Sequence, residues 1–163
     1  MKREKLLRNI VIIGVAGLLT VGGIGLYMFN KPHRDVQSAR ADYVLSSTQI
    51  VTEYLTDGEA ANQKYLSADG DSKILEITGK ISKITENYNG QKVVLLKSGQ
   101  DKAGVSATFT SETNNNLSGL RLGQDITVKG VIRSGASYDE DLGLYENVIL
   151  EKSDVVKGKN SRI

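Results

Sequence analysis

Residues 10–29 read IVIIGVAGLLTVGGIGLYMF, twenty positions with no charge and no proline. As a helix rising about 1.5 Å per residue the run would be roughly 30 Å long, the thickness of a bilayer's hydrocarbon core. Its Val, Ile, Leu and Phe residues each favour insertion by roughly 0.3 to 0.6 kcal/mol at mid-membrane, so a transmembrane helix is predicted in spite of five glycines. Lys2, Arg3, Lys5 and Arg8 precede the run against Glu4 alone. That bias predicts a single-pass membrane protein with residues 1–9 in the cytoplasm and everything beyond the span extracytoplasmic. The alternative is a cleaved leader, whose apolar region is usually about 7 to 15 residues, with Val21-Gly22-Gly23 as a poor cleavage site. A lipoprotein acylated on cysteine is not expected, since the sequence has no cysteine.

About 130 residues follow the span, enough for one domain with its own core. Residues 1–8 hold four of the 21 basic groups and one of the 19 acidic ones, leaving 17 against 18 for the rest. A pI of 8.7 therefore reports the N-terminus and not the domain. Without a basic excess, nucleic acid is disfavoured as a ligand, because its phosphates are held by Lys and Arg. The lack of cysteine also removes disulfides, thiol catalysis and zinc-thiolate sites. His33 is the one histidine and has no partner of its kind to share a metal. Asp69-Gly70-Asp71 lacks the further oxygen ligands of a calcium loop. Neither a metal nor a cofactor is expected.

Residues 30–44 are polar, carry the only proline and read as a juxtamembrane linker, with a helical tendency around 36–41. An amphipathic helix is predicted over 45–67. Ser46 is its N-cap, Gln49 reaches back to complete a capping box, and Leu45 with Ile50 forms the hydrophobic staple. Ile50, Tyr54, Ala61 and Tyr65 recur at helical spacing, and Gly58 marks a kink.

Beyond Ser72 the period changes to two. KILEITGKISKITE alternates through Leu75, Ile77, Gly79 and Ile81 and shifts phase at Ile84, which predicts a long strand bent or bulged near Gly79. Asn87-Tyr88-Asn89-Gly90 is a hairpin turn. KVVLLK suits a strand covered on both faces. Val105, Ala107 and Phe109 alternate in a third strand, and a polar crossover over 111–123 leads to a fourth, QDITVKGVIR. The sequon at Asn116 is a chance match in this setting. SGASYDEDLG is a loop, YENVILEK the fifth strand, and 154–163 a basic tail.

Five strands in this order, with a glycine-bent first strand and a crossover between the third and fourth, make the predicted fold mainly β. It is a five-stranded OB-fold Greek-key barrel over 72–153, preceded by an amphipathic helix and a single N-terminal transmembrane helix. The runs ADYVLSSTQIVTEYLTDGEAANQKYL, ILEITGKISKI, ITVKGVI and YENVILEKS resemble the tRNA-anti-like OB-fold domains of small bacterial envelope proteins, over roughly residues 33–153. The resemblance implies a fold and almost no chemistry. Where some relatives carry a cysteine in the final strand, Val148-Ile149-Leu150 stands here, so no metal or redox role is carried over.

OB barrels bind along their second and third strands, between the loop joining strands one and two and that joining strands four and five. Tyr88, Asn89 and Lys92 at the first and Tyr138 at the second are therefore the expected ligand-binding residues. No paired catalytic carboxylates, serine elbow, P-loop or dinucleotide fingerprint occurs, and Glu53 with Asp57 reads as a solvated helix face, so an enzyme is not expected. The expected partners are the lipid bilayer through 10–29 and an envelope polymer, peptide or membrane protein. A structural or assembly subunit of an envelope membrane complex is the alternative, with single-stranded nucleic-acid binding a less favoured one.

Overall fold

A computed structural model describes residues 35–158 of the chain, so the span expected over 10–29 lies outside the described residues. Among those described, no helix is long and apolar enough to cross a membrane. The element order is β1 (Tyr43–Ser46), α1 (Ser47–Thr56), α2 (Gly58–Tyr65), β2 (Ile74–Glu86), β3 (Lys92–Leu96) and β4 (Val105–Phe109). A 3-10 turn (Asn114–Leu117), β5 (Asp125–Ser134), β6 (Ser137–Asp139), β7 (Leu144–Glu146) and β8 (Val148–Val155) complete it.

The thirteen-residue β2 serves two ladders. Its first half pairs antiparallel with β5, from Ile74 opposite Val131 to Lys80 opposite Asp125. Its second half pairs antiparallel with β3 after a register shift between Ile81 and Lys83. β3 pairs with β4, β4 runs parallel to β8, and β8 returns antiparallel to β5, so the ring β2-β3-β4-β8-β5 closes on itself. This is the predicted five-stranded barrel. The register shift falls between Ile81 and Lys83, within a few residues of Gly79 and just ahead of Ile84, where the period-two pattern changes phase. Gly79 serves another need: a Cβ would stand 2.6 Å from Ser47 Oγ, so its bareness lets α1 lie against the strand.

Inward positions alternate along every strand. Leu75, Ile77, Ile81, Val94, Leu96, Val105, Ala107 and Phe109 form one core with Ile126, Val128, Ile132, Val148 and Leu150. The helices stopper it with Ile50, Val51, Tyr54, Ala61 and Tyr65.

Four local expectations are revised. The helix predicted over 45–67 is two helices, because β1 takes residues 43–46 and Asp57 (φ −150°, ψ 89°) leaves helical geometry. Asp57 accepts a hydrogen bond from the Ala60 N–H at 2.9 Å and so caps α2, which is why the chain breaks beside Gly58. Ser46 does accept from the Gln49 N–H at 3.0 Å, but the Gln49 side chain donates forward to Glu53 instead of back to the cap. β1 runs parallel to β2, so the two helices act as the crossover that parallel neighbours require.

The second revision concerns residues 35–42, which are no spacer. Val36 is buried against Ile74 and Val131 on the outside of the barrel, and Lys129 Nζ donates to the carbonyls of Gln37 (2.7 Å) and Ala39 (3.0 Å). Third, the fifth strand begins at Val148, because Tyr145 belongs to a separate hairpin in which it faces Tyr138. Last, β3 is not covered on both faces: Val94 and Leu96 are fully buried, whereas Val93 and Leu95 are half-buried.

Where the helices meet, three side chains lock them together. Glu53 Oε2 accepts from Lys64 Nζ at 2.9 Å and from the Tyr65 hydroxyl at 2.7 Å, and Lys64 also lies over the Tyr43 and Tyr65 rings. The Lys64 hydrogen bond holds the Glu53 carboxyl below its ordinary value of 4.5. Tyr54 is buried beside this lock, its hydroxyl without a hydrogen-bond partner among the described residues. Burial, reinforced by Tyr65 and Glu53, pushes its pKa up to about 12. Gly135 lies flat on the Tyr54 ring, where any Cβ would collide with it.

Gly135→Ala should therefore destabilise the domain by about 1 to 3 kcal/mol, read from thermal unfolding, whereas Tyr54→Phe should stabilise it by about 1 kcal/mol by removing an orphaned hydroxyl. The raised Tyr54 value means that stability is full below the ordinary phenol value of 10 and declines as pH climbs toward 12, a decline that Tyr54→Phe should lessen. The lowered Glu53 value acts in the opposite direction. Its contribution is present above pH 4.5 and fades as pH falls through the depressed value, so Glu53→Gln should flatten the acid side of a melting-temperature profile.

Candidate functional site

The outer surface of β2, β3, β4 and β8 differs from the rest of the barrel. Strand pairing sets Lys83, Leu95, Ser106 and Ile149 side by side in one row across four strands. Thr85, Val93 and Thr108 form the next row. Val93, Leu95 and Ile149 are half-buried, yet none of them packs on the core. The period of two explains this, since their neighbours Val94, Leu96, Val148 and Leu150 take the inward positions. The result is a shallow aliphatic strip edged by hydroxyls and one ammonium group.

Two loops bound the strip. The turn after β2 is held by Asn87, whose Oδ1 accepts from the N–H groups of Asn89 and Gln91 at 3.0 Å each. Asn114 ties this turn to the crossover: its Oδ1 accepts from the Lys92 N–H (2.9 Å) and its Nδ2 donates to the Gly90 carbonyl (2.8 Å). Tyr88 stands fully exposed at the tip. At the other end of the β2–β5 ladder, the β6–β7 hairpin stacks Tyr138 on Tyr145 at 4.8 Å between ring centroids, with Lys102 over the Tyr145 ring. Ser137 Oγ donates to Glu146, and Asp139 Oδ1 accepts from the Leu142 N–H across the acidic tip.

The structure thus puts Tyr88 and Asn89 in one turn, with Lys92 opening β3 just after it, and Tyr138 on a different hairpin. No hydrogen bond or ring contact among the described residues joins the two groups. Sequence reasoning missed Lys83, Val93, Leu95, Ser106, Thr108 and Ile149. Two of them lie in KVVLLK, whose four consecutive aliphatic residues show no alternation, so which of them point outward depends on register with β2 and β4. The sequon at Asn116 is occupied structurally, since its Nδ2 donates to Asp154 at 2.8 Å.

Residues 35–158 carry 13 basic and 18 acidic side chains, a net charge of −5. Among the described residues no group of three or more His, Cys, Asp or Glu side chains could hold a metal ion. A groove of about 320 Å³ lies on the helices, lined by Thr52, Glu53, Thr56, Asp57, Ala60, Ala61 and Lys64.

Among solved structures, the chain is similar to a lipoprotein from Klebsiella pneumoniae subsp. pneumoniae MGH 78578 whose proposed role is nucleic-acid binding. The two share 20% identity over 69% of this chain and 91% of that one, with a TM-score of 0.49. No curated protein matches. The tRNA_anti-like family model matches residues 1–141, so the chain belongs to the tRNA_anti-like family.

Proposed function

We propose that this protein is a membrane-anchored, non-catalytic binding module whose barrel works on the extracytoplasmic side and takes its ligand on the outer face of β3 and β4. The observation that carries this reading is the strip formed by Val93, Leu95 and Ile149, three aliphatic side chains turned away from a core that is complete without them. Aliphatic surface kept half open needs a reason, because burying it is worth roughly 25 cal/mol per Å². OB barrels bind on this side of the sheet. Anchoring is supported by the charge-free run 10–29 and its four preceding cations.

A second reading, a structural subunit docked on another membrane protein, is favoured by the groove between α1 and α2. Single-stranded nucleic acid fits less well: a net charge of −5 opposes phosphates.

The topology is tested by fusing alkaline phosphatase or green fluorescent protein after Ile163 in cells. Phosphatase activity without fluorescence is expected, and a fluorescent, phosphatase-silent pair would place the domain in the cytoplasm. Leu95→Glu should lower the unfolding free energy by only about 1 kcal/mol, short of the roughly 2 to 5 kcal/mol of a core truncation, because Leu95 is half-buried outside the core. Photo-crosslinking from position 108 in intact membranes should then lose its products in the Leu95→Glu protein and keep them in Leu122→Glu, an exposed position away from the strip.

A further inference from the structure

The strip has a chemistry that narrows its ligand. Nucleic acids and glycans draw much of their binding energy from stacking on aromatic rings, about 1 to 3 kcal/mol per base for the former. No aromatic residue occupies an outward position on β2, β3, β4 or β8: Phe109, the one aromatic residue on these strands, is fully buried. What those strands offer is Leu95 and Val93 in the middle, with Ser106 and Thr108 hydroxyls beside them. Such a surface matches the apolar side chains and amide groups of a polypeptide.

Lys83 stands at one end of the row, and beyond the Arg133–Glu151 ion pair at the other end the chain leads into an acidic hairpin. Lys83 begins the row, is exposed, and takes part in none of the ion pairs among the described residues. Ile149 ends the row beside Ser134, and three residues further on begins the β6–β7 hairpin, with Asp139, Glu140 and Asp141 at its tip. Four strands side by side span three gaps, about 14 Å, which an extended chain of roughly five residues covers.

We propose that the strip binds an extended segment of a partner protein in the order acidic, aliphatic, basic, its carboxylate on Lys83 and its cation at the acidic hairpin. This deepens the proposed function and rests on the reading of the strip as the ligand face. The partner's middle residues lie over Leu95 and Val93, and its backbone amides meet the hydroxyls of Ser106 and Thr108. Charge fixes the polarity of binding, while aliphatic contact supplies most of the affinity.

The test uses the full chain, isotope-labelled in detergent micelles, with three probes: the end-blocked pentapeptide EVIVK, a five-nucleotide oligothymidine and chitopentaose. EVIVK should shift the backbone amide signals of Leu95, Thr108 and Ile149. Lys83→Glu should weaken it about fivefold, and KVIVK should recover that loss in the Lys83→Glu protein, a rescue that general damage to the fold would not give. Oligothymidine or chitopentaose shifting those signals in place of EVIVK would overturn the peptide assignment and leave the binding face standing. Failure of all three probes to shift them would sink both readings, and EVIVK binding that ignores the charge exchange would overturn the stated polarity.

Discussion

The double pairing of β2 is the constraint on which the rest of the molecule depends. One strand lends its first half to β5 and its second half to β3, and the register shifts between Ile81 and Lys83, where the partner changes. An irregularity of this kind bends a strand and increases its twist, which suits a strand that passes from one side of the barrel to the other. The same strand accepts β1 in parallel, so the helical stopper is attached to the element that serves both ladders.

Closure has a chemical consequence at the surface. Inward positions are filled by side chains from all five barrel strands together with α1 and α2, leaving no room for the outward aliphatics of β3 and β8. These side chains are therefore available by geometry, and their placement beside Ser106 and Thr108 follows from pairing alone. Lys83 reaches the same row only because the register shift in β2 brings it opposite Leu95. The irregularity in β2 also sets one end of the candidate site.

Legibility in the sequence follows locality. The cap at Ser46, the strand periods and the order of the five barrel strands were readable because each depends on residues a few positions apart. The division of the helix was half visible in Asp57-Gly58, but helical spacing persists across the break: Tyr54, Ala61 and Tyr65 all face the core, so the pattern alone suggests one continuous helix. Residues 35–42 looked like a tether because their anchors, Lys129 and Val131, lie about ninety positions away. The β6–β7 hairpin was hidden inside a polar loop, its strands being three residues each and paired only with one another. For the binding strip, the residue types were in plain view and the register was not.

The ladder between β2 and β5 also dictates when the fold can form. Val131 follows Ile74 by 57 positions, so this ladder forms only after β3, β4 and the crossover have been made, and the ring closes later still, when β8 joins β4 to β5. Chains dominated by such distant pairings fold slowly, on the order of milliseconds to seconds, because loop closure must precede the contacts that reward it. Synthesis at roughly 5 to 20 residues per second adds several seconds during which Val93, Val94, Leu95 and Leu96 have emerged without their final neighbours. A chaperone that guards nascent chains would have its clearest target in that tetrapeptide, before the barrel exists to hide half of it.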